Sequence, residues 1–246
     1  MDLTGKAILI TGGATGIGRA AALEMAAGGA TVVVADLNEV DGRKTVDEIE
    51  RAGGRARFLL CDVTSEAAVR STVDAALAWA GKLNVVVTAA GILQGAFLSI
   101  EALETATLER VMNVNFLGTF LMCKYAAPVM EASGGGVILC IASGAGVRGP
   151  SSSLAYGASK AAVQGLCYTL ERQLAPRGIR LNVVCPGSVD TPLKRQNVRD
   201  GATSRGQDPE QAVATAGLVD PRGVARILRF AASDAAAYLL GTLFTR

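Results

Sequence analysis

Lys6 to Gly18 reads K-A-I-L-I-T-G-G-A-T-G-I-G. The run Lys6–Thr11 is short and apolar, which suits a buried strand, and the glycine-rich stretch Thr11–Gly18 leads into a helix expected over Arg19–Ala27. Strand, glycine turn and helix in that order aim backbone N–H groups and a helix N-terminus at a phosphate. Gly12, Gly16 and Gly18 are spaced G-x-x-x-G-x-G, not the G-x-G-x-x-G of the common dinucleotide fingerprint. The same glycines would also serve a bare turn; their place after the first strand favours a cofactor, with Gly12, Thr15, Gly16 and Ile17 as its contacts.

Moving outward, Thr31–Ala35 (T-V-V-V-A) reads as the second strand, with Asp36 at its C-terminal end. In a βαβ dinucleotide site a carboxylate there accepts hydrogen bonds from the ribose hydroxyls and repels a 2′-phosphate. Leu37 and Thr15 supply no compensating positive charge, so the reading is NAD rather than NADP. A helix cap or loop acid is the alternative for Asp36. The pattern then repeats: a helix near Glu39–Ala52, a strand Ala56–Leu60 closed by Cys61-Asp62-Val63, a helix Ser65–Ala80, a strand Leu83–Val87, then Thr88-Ala89-Ala90-Gly91. Asp62 and Val63 are placed to meet an adenine ring. Ala89, Ala90 and Gly91 are small enough for a flat cofactor to lie against the backbone, or simply for close packing.

A long helical region is expected over Leu103–Glu131. Asn115 lies inside it on an apolar stretch, where its amide must be satisfied. Holding a water or a kink would do this, with Gly118 tolerating the distortion. The segment Ile141–Lys160 (I-A-S-G-A-G-V-R-G-P-S-S-S-L-A-Y-G-A-S-K) runs from the end of a strand through a Gly/Ser/Pro loop into a helix from about Leu154 to Ala175. Tyr156 and Lys160 are four apart and share a helix face. An ammonium beside a phenol favours the phenolate and lowers the tyrosine pKa from roughly 10, making an acid/base of it. A tyrosine packed on a lysine stem is the plainer reading of the same pair. Ser143, at the mouth of the strand, is placed to hold a carbonyl or hydroxyl oxygen at the same point. Strand Ile179–Val184 and a Pro186-Gly187-Ser188-Val189-Asp190-Thr191 loop follow. A polar stretch over about 190–218 then reads as a mobile lid or a solvated excursion. A last helix Pro221–Ser233 and a final strand at Gly241–Arg246 complete an alternation of about seven strands with six helices. That predicts one doubly wound α/β domain over residues 1–246 with a parallel sheet.

Composition closes off other classes. The 246 residues are 50% hydrophobic and 4% aromatic, with a net charge of +2 and no basic stripe, so neither nucleic acid nor membrane is an expected partner. The first residues run straight into a strand, so no signal peptide is expected, and no apolar run approaches the ~18 residues of a spanning helix. Five cysteines form no C-x-x-C pair and read as buried small hydrophobes in a reducing, cytoplasmic compartment. The chain has no histidine, which removes a Ser-His-Asp triad, an H-E-x-x-H zinc site and any His-ligated metal. No metal is expected.

Taken together, Thr11–Gly18, Asp36, Cys61-Asp62-Val63, Asn115 with Gly118, Ser143, Tyr156-Gly157-Ala158-Ser159-Lys160 and Pro186-Gly187 with Thr191 resemble the short-chain dehydrogenase/reductase family, over essentially the whole chain. The thirteen-residue step from Ser143 to Tyr156 and the Tyr-x-x-x-Lys are that family's spacing. The resemblance implies a catalytic tetrad of Asn115, Ser143, Tyr156 and Lys160. Tyr156 would exchange a proton with the substrate oxygen while hydride passes to or from nicotinamide. Lys160 would hold the nicotinamide ribose, Ser143 would orient the substrate oxygen, and the Asn115 backbone would hold a water of a proton relay. It also implies contacts of Val63 near adenine, of Val189 with the carboxamide through its backbone, and of Pro186, Gly187 and Thr191 with the cofactor. Gln94, Ser143, Ala145, Ser153, Tyr156 and Gly187 are the expected substrate contacts, with Leu93, Val147 and Ser188 beside them.

The chain departs from the family in having Thr88 where an asparagine usually ties neighbouring strands together, which bears on stability more than chemistry. It also ends at Arg246, where relatives usually continue through Asp-Gly-Gly into a tail that helps form a subunit interface. A homotetramer or dimer is expected, with the Leu103–Glu131 and Leu154–Ala175 helices pairing across a two-fold. The leading function is an NAD(H)-dependent oxidoreductase for a compact secondary alcohol or ketone, such as a cyclic alcohol or polyol, with lid arginines leaving room for an anion. An NADPH-dependent 3-oxoacyl-[acyl-carrier-protein] reductase is the runner-up, opposed by Asp36. A dinucleotide-sensing regulator without turnover is the third, opposed by the complete tetrad.

Overall fold

A computed structural model describes residues 1–246. The apolar run Ala7–Thr11 (β1) is buried at every position, as a strand covered on both faces must be. Thr31–Asp36 (β2), Arg55–Leu60 (β3), Val85–Thr88 (β4), Gly136–Ile141 (β5), Ile179–Cys185 (β6) and Gly241–Phe244 (β7) join it in one parallel sheet of order β3-β2-β1-β4-β5-β6-β7. Helices Gly16–Ala26 (α1), Glu39–Arg51 (α2), Glu66–Ala80 (α3), Thr105–Met112 (α4), Gly118–Ala132 (α5), a single irregular turn Gly144–Val147 (α6), Leu154–Leu174 (α7), Pro192–Ser204 (α8), Pro209–Thr215 (α9) and Pro221–Ala232 (α10) connect the strands.

The two-residue period of a strand divides the core in two. Leu9, Val33, Val86 and Ile138 point to the face covered through Val69 of α3, Met122 of α5 and Val163 of α7. Ile8, Ile10, Val32, Val34, Val85 and Val87 point to the opposite face, covered through Met25 of α1, Ile49 of α2 and Leu228 of α10. β1 has β2 on one side and β4 on the other, so the chain reverses its progress across the sheet there. The crevice outside the carboxyl ends of such strands is where open α/β sheets bind ligands.

Several expectations change. Helix α1 starts at Gly16 rather than Arg19, so two of the three motif glycines lie in its first turn. The single helix expected over Leu103–Glu131 begins at Thr105 and is interrupted by a π-helical turn, Asn113–Leu117. Gly118 is not there to absorb that distortion, because its backbone is ordinary helix (φ −58°). It is small because a Cβ would stand 2.8 Å from Val63 Cγ2. The polar stretch after Thr191 is not irregular; it folds into α8 and α9, each begun by a proline in its first turn behind a capping Thr191 or Asp208. All five cysteines are buried free thiols. Thr88 meets Cys140 across the β4–β5 ladder. Its hydroxyl is the one buried side-chain polar atom without a hydrogen-bond partner, a cost of about 1–3 kcal/mol. No helix is long and apolar enough to cross a membrane.

Candidate active site

The carboxyl ends of β1 to β6 open into a cavity of about 880 Å³. At one end its wall is mainly backbone. Gly12 has φ +68°, and a Cβ there would stand 2.5 Å from the Ala90 nitrogen; a Cβ on Gly18 would stand 2.1 Å from the Gly12 oxygen. Only glycines let β1, α1 and the end of β4 approach this closely. Thr15, at the N-cap of α1, makes no side-chain cap, and no acid lies in the first turn. The N–H groups and the positive end of the helix dipole are therefore left for an anion.

Asp36 ends β2 with both oxygens engaged, Oδ2 accepting from Ala14 N at 3.0 Å and Oδ1 from Asn38 N at 2.9 Å. These bonds fix the carboxylate on the cavity wall beside Leu37. Asp62 Oδ1 accepts from the Thr64 N–H (2.9 Å) and hydroxyl (2.7 Å), which holds Asp62 and Val63 on the same wall. Ala89, Ala90, Gly91, Pro186, Gly187, Val189 and Thr191 line the cavity between these groups and the next cluster. A cradle that a Cβ would fill, an uncapped helix N-terminus and an anchored ribose-side carboxylate fit a dinucleotide.

The second cluster sits where β5 and α7 meet. Ser153 caps α7, its Oγ accepting from Tyr156 N (3.1 Å) and donating to the Gln94 carbonyl (2.6 Å). One turn on from Tyr156, Lys160 is 4% exposed; its Nζ donates to the Ile141 carbonyl at 2.8 Å and lies 5.6 Å from the centre of the Tyr156 ring. Burial lowers the Lys160 pKa to about 8. Burial pushes the Tyr156 phenol up, and the hydrogen bond with Ser143 opposes that rise. The expected depression of the Tyr156 pKa by Lys160 is therefore corrected: the ammonium donates to a backbone carbonyl, and burial is the largest influence on the phenol. Gly144 N donates to the Pro186 oxygen (3.1 Å), which draws Ser143 and Ala145 alongside Gly187.

Asn115 is completely buried and reaches the site indirectly. Its Nδ2 donates to the Ile92 oxygen (3.0 Å) and Ser159 Oγ (2.9 Å), and its Oδ1 accepts from Ile92 N (2.8 Å). It clamps the loop after β4 to the turn of α7 that carries Lys160. Its own carbonyl accepts from Thr119 Oγ1 (2.8 Å). Ser143, Ala145, Tyr156, Lys160 and Gly187 share the cavity wall. Two expected substrate contacts do not reach it: Ser153 is completely buried as a helix cap, and the Gln94 amide oxygen accepts from Arg110 (3.2 Å) instead. Val147 packs on the core rather than the cavity. The wall also holds Arg148 and Asn197, which sequence reasoning missed, and Lys194 from the polar stretch read as a lid. Arg148 alone carried a signal, as the single charged residue in the Gly/Ser/Pro loop.

A sequence model described as short chain dehydrogenase matches residues 6–202. The chain is 35% identical over 255 residues to a 3beta-hydroxysteroid dehydrogenase of Mediterraneibacter gnavus, covering 97% of this chain and 92% of the relative. It is 33% identical to a 3-oxoacyl-[acyl-carrier-protein] reductase of Thermotoga maritima, covering 98% and 96%. Among solved structures it is similar to an NAD+-bound xylitol dehydrogenase, with a TM-score of 0.92, 31% identity and coverage of 99% and 98%. The chain belongs to the short-chain dehydrogenase/reductase family and is an oxidoreductase acting on alcohol- or ketone-type substrates.

Proposed function

We propose that this enzyme uses NAD(H) to interconvert a secondary alcohol and a ketone, with Tyr156 as acid/base. The observation that carries the reading is the meeting of Ser143, Tyr156 and Lys160 on one cavity wall whose far end holds Asp36. Bound at that wall, the nicotinamide supplies or accepts the hydride. Ser143 holds the substrate oxygen and Tyr156 Oη exchanges its proton. Lys160, with a pKa near 8, is matched to pass a proton onward near neutral pH. Asn115 fixes the loop and helix between which that proton moves. Asp36 accepts from the adenosine ribose and disfavours a 2′-phosphate. This separates the reading from an NADPH-linked enzyme; the Thermotoga relative's name, an acyl-carrier-protein reductase, supplies the alternative substrate.

Helices α8 and α9 act as the lid, held by Asn197 Nδ2 on Ser152 Oγ (2.8 Å) and by Phe97, whose ring lies 2.7 Å from where a Cβ of Gly201 would stand. Helices α5 and α7 expose Phe120 and Tyr168, which fits their pairing in a homo-oligomer.

The test is NAD+ reduction across a panel of secondary alcohols, with Tyr156→Phe alongside. Loss of the acid/base lowers kcat by about 10²–10⁴-fold while NAD+ still binds. Because burial raises the Tyr156 pKa, and oxidation needs the phenolate, kcat/KM for oxidation climbs with pH. Reduction needs the phenol and declines at high pH. Full activity in Tyr156→Phe removes the assignment.

A further inference from the structure

Sequence alone suggested the lid arginines as partners for an anionic group, but Arg195 is paired with Asp190 and Arg199 with Glu210. Two other cations face the cavity unpaired. Arg148 and Lys194 both stand on the cavity wall, and neither has a carboxylate within ion-pair distance. The only acidic side chains on that wall, Asp36 and Asp62, lie at the ends of β2 and β3. Around Tyr156 the wall is otherwise small or neutral, through residues such as Leu93, Ala145, Ser152 and Ser188.

Each cation is held in place by its backbone. Arg148 sits in a tight loop, with Arg148 N donating to the Gly144 oxygen (3.0 Å) and Gly146 N to the Gly149 oxygen (2.8 Å). Its guanidinium lies 5.5 Å from the centre of the Phe244 ring, a cation–π contact that uses none of its N–H donors. Lys194 is half-buried in the first turn of α8, its N–H bonded to Thr191 Oγ1 (3.2 Å). A lysine there opposes the helix dipole, with no acid in the same turn to offset it. Two uncompensated cations facing one cavity raise the local concentration of an anion.

We infer that Arg148 and Lys194 form an anion-binding end of the substrate site, so that the alcohol or ketone carries a carboxylate away from its reacting carbon. This rests on the proposed alcohol–ketone reading and names its substrate class. The Arg148 fork matches a carboxylate in two-point contact, and Lys194 adds a point charge.

The test titrates benzoate and benzamide, shape-matched but differing in charge, into the enzyme–NADH complex by calorimetry. In parallel, the oxidation of 3-hydroxybutyrate is compared with that of its amide. The expected result is at least tenfold preference for the acid in both assays, shrinking as salt rises. Arg148→Gln and Lys194→Gln each lower that preference about threefold or more, and the double variant erases it, with NAD+ affinity within twofold of wild type. Equal binding of benzoate and benzamide overturns the inference. So does a tenfold loss of NAD+ affinity in either variant, which would assign these cations to the cofactor diphosphate. A benzoate preference in an enzyme that oxidises no alcohol upholds the anion site and overturns the alcohol–ketone reading instead. If NADH does not bind, the alcohol–ketone reading falls, and the same benzoate–benzamide comparison on the free enzyme decides the anion site.

Discussion

At the β1–β2 end of the cavity the wall is made of backbone: Gly12 against Ala90, the uncapped first turn of α1, and a carboxylate held by two N–H groups. At the β5–β6 end the wall is made of side chains on loops and lid helices, among them Arg148, Lys194 and Asn197. Backbone geometry is set by strand ends and glycines, so the first end leaves a fixed spacing in the chain. Side-chain geometry is set by partners far away in sequence, so the second end leaves almost none. One end can serve a cofactor common to a whole family, and the other is free to differ with each substrate.

The largest effect at the backbone end is expected from Gly18→Ala. A Cβ 2.1 Å from the Gly12 oxygen forces the turn apart, at a cost of about 1–3 kcal/mol in overpacking. Calorimetry should find NAD+ affinity reduced at least about tenfold with a lowered Tm; unchanged affinity would mean that this turn does not hold the cofactor.

Lys160 sharpens the comparison from the other end. Its pKa is about 8 in the folded chain against an ordinary 10.5, so between those values the unfolded state binds more protons and stability rises with pH. The gain is about 3 kcal/mol over the whole interval. Denaturant midpoints of wild type and Lys160→Met at pH 7 to 10 should show wild type gaining on the variant as pH rises. A difference independent of pH would mean that the ammonium is not desolvated. The smallest effect separates a cap from a substrate contact: Ser153→Ala should lose about 1 kcal/mol of stability and leave KM unchanged. A raised KM at full stability would return Ser153 to the substrate site.

The same contrast explains what was legible. All seven strands, the Asp36 position and the step from Ser143 to Lys160 follow from local runs of apolar residues and short spacings, and the structure places each on the sheet or cavity as read. Asn115 stood out as a polar residue in an apolar helix, but its clamp was hidden because its partners, Ile92 and Ser159, are 23 and 44 residues away. The kink expected at Asn115 is a π-helical turn over Asn113–Leu117, whose form no short spacing encodes. Tyr156 and Lys160 were correctly put on one helix face, whereas their pKa shifts depend on burial, which spacing alone does not encode. Arg195 and Arg199 read as free charges until α8 and α9 brought Asp190 and Glu210 to them.

The central claim is that Asp36 makes this an NAD(H) enzyme. The direct measurement is calorimetric binding of NAD+ and NADP+ to wild type and to Asp36→Ala. The account predicts NAD+ at least about tenfold tighter, which is about 1.4 kcal/mol, with the preference eroded by the substitution. NADP+ binding as tightly as NAD+ to wild type would contradict it.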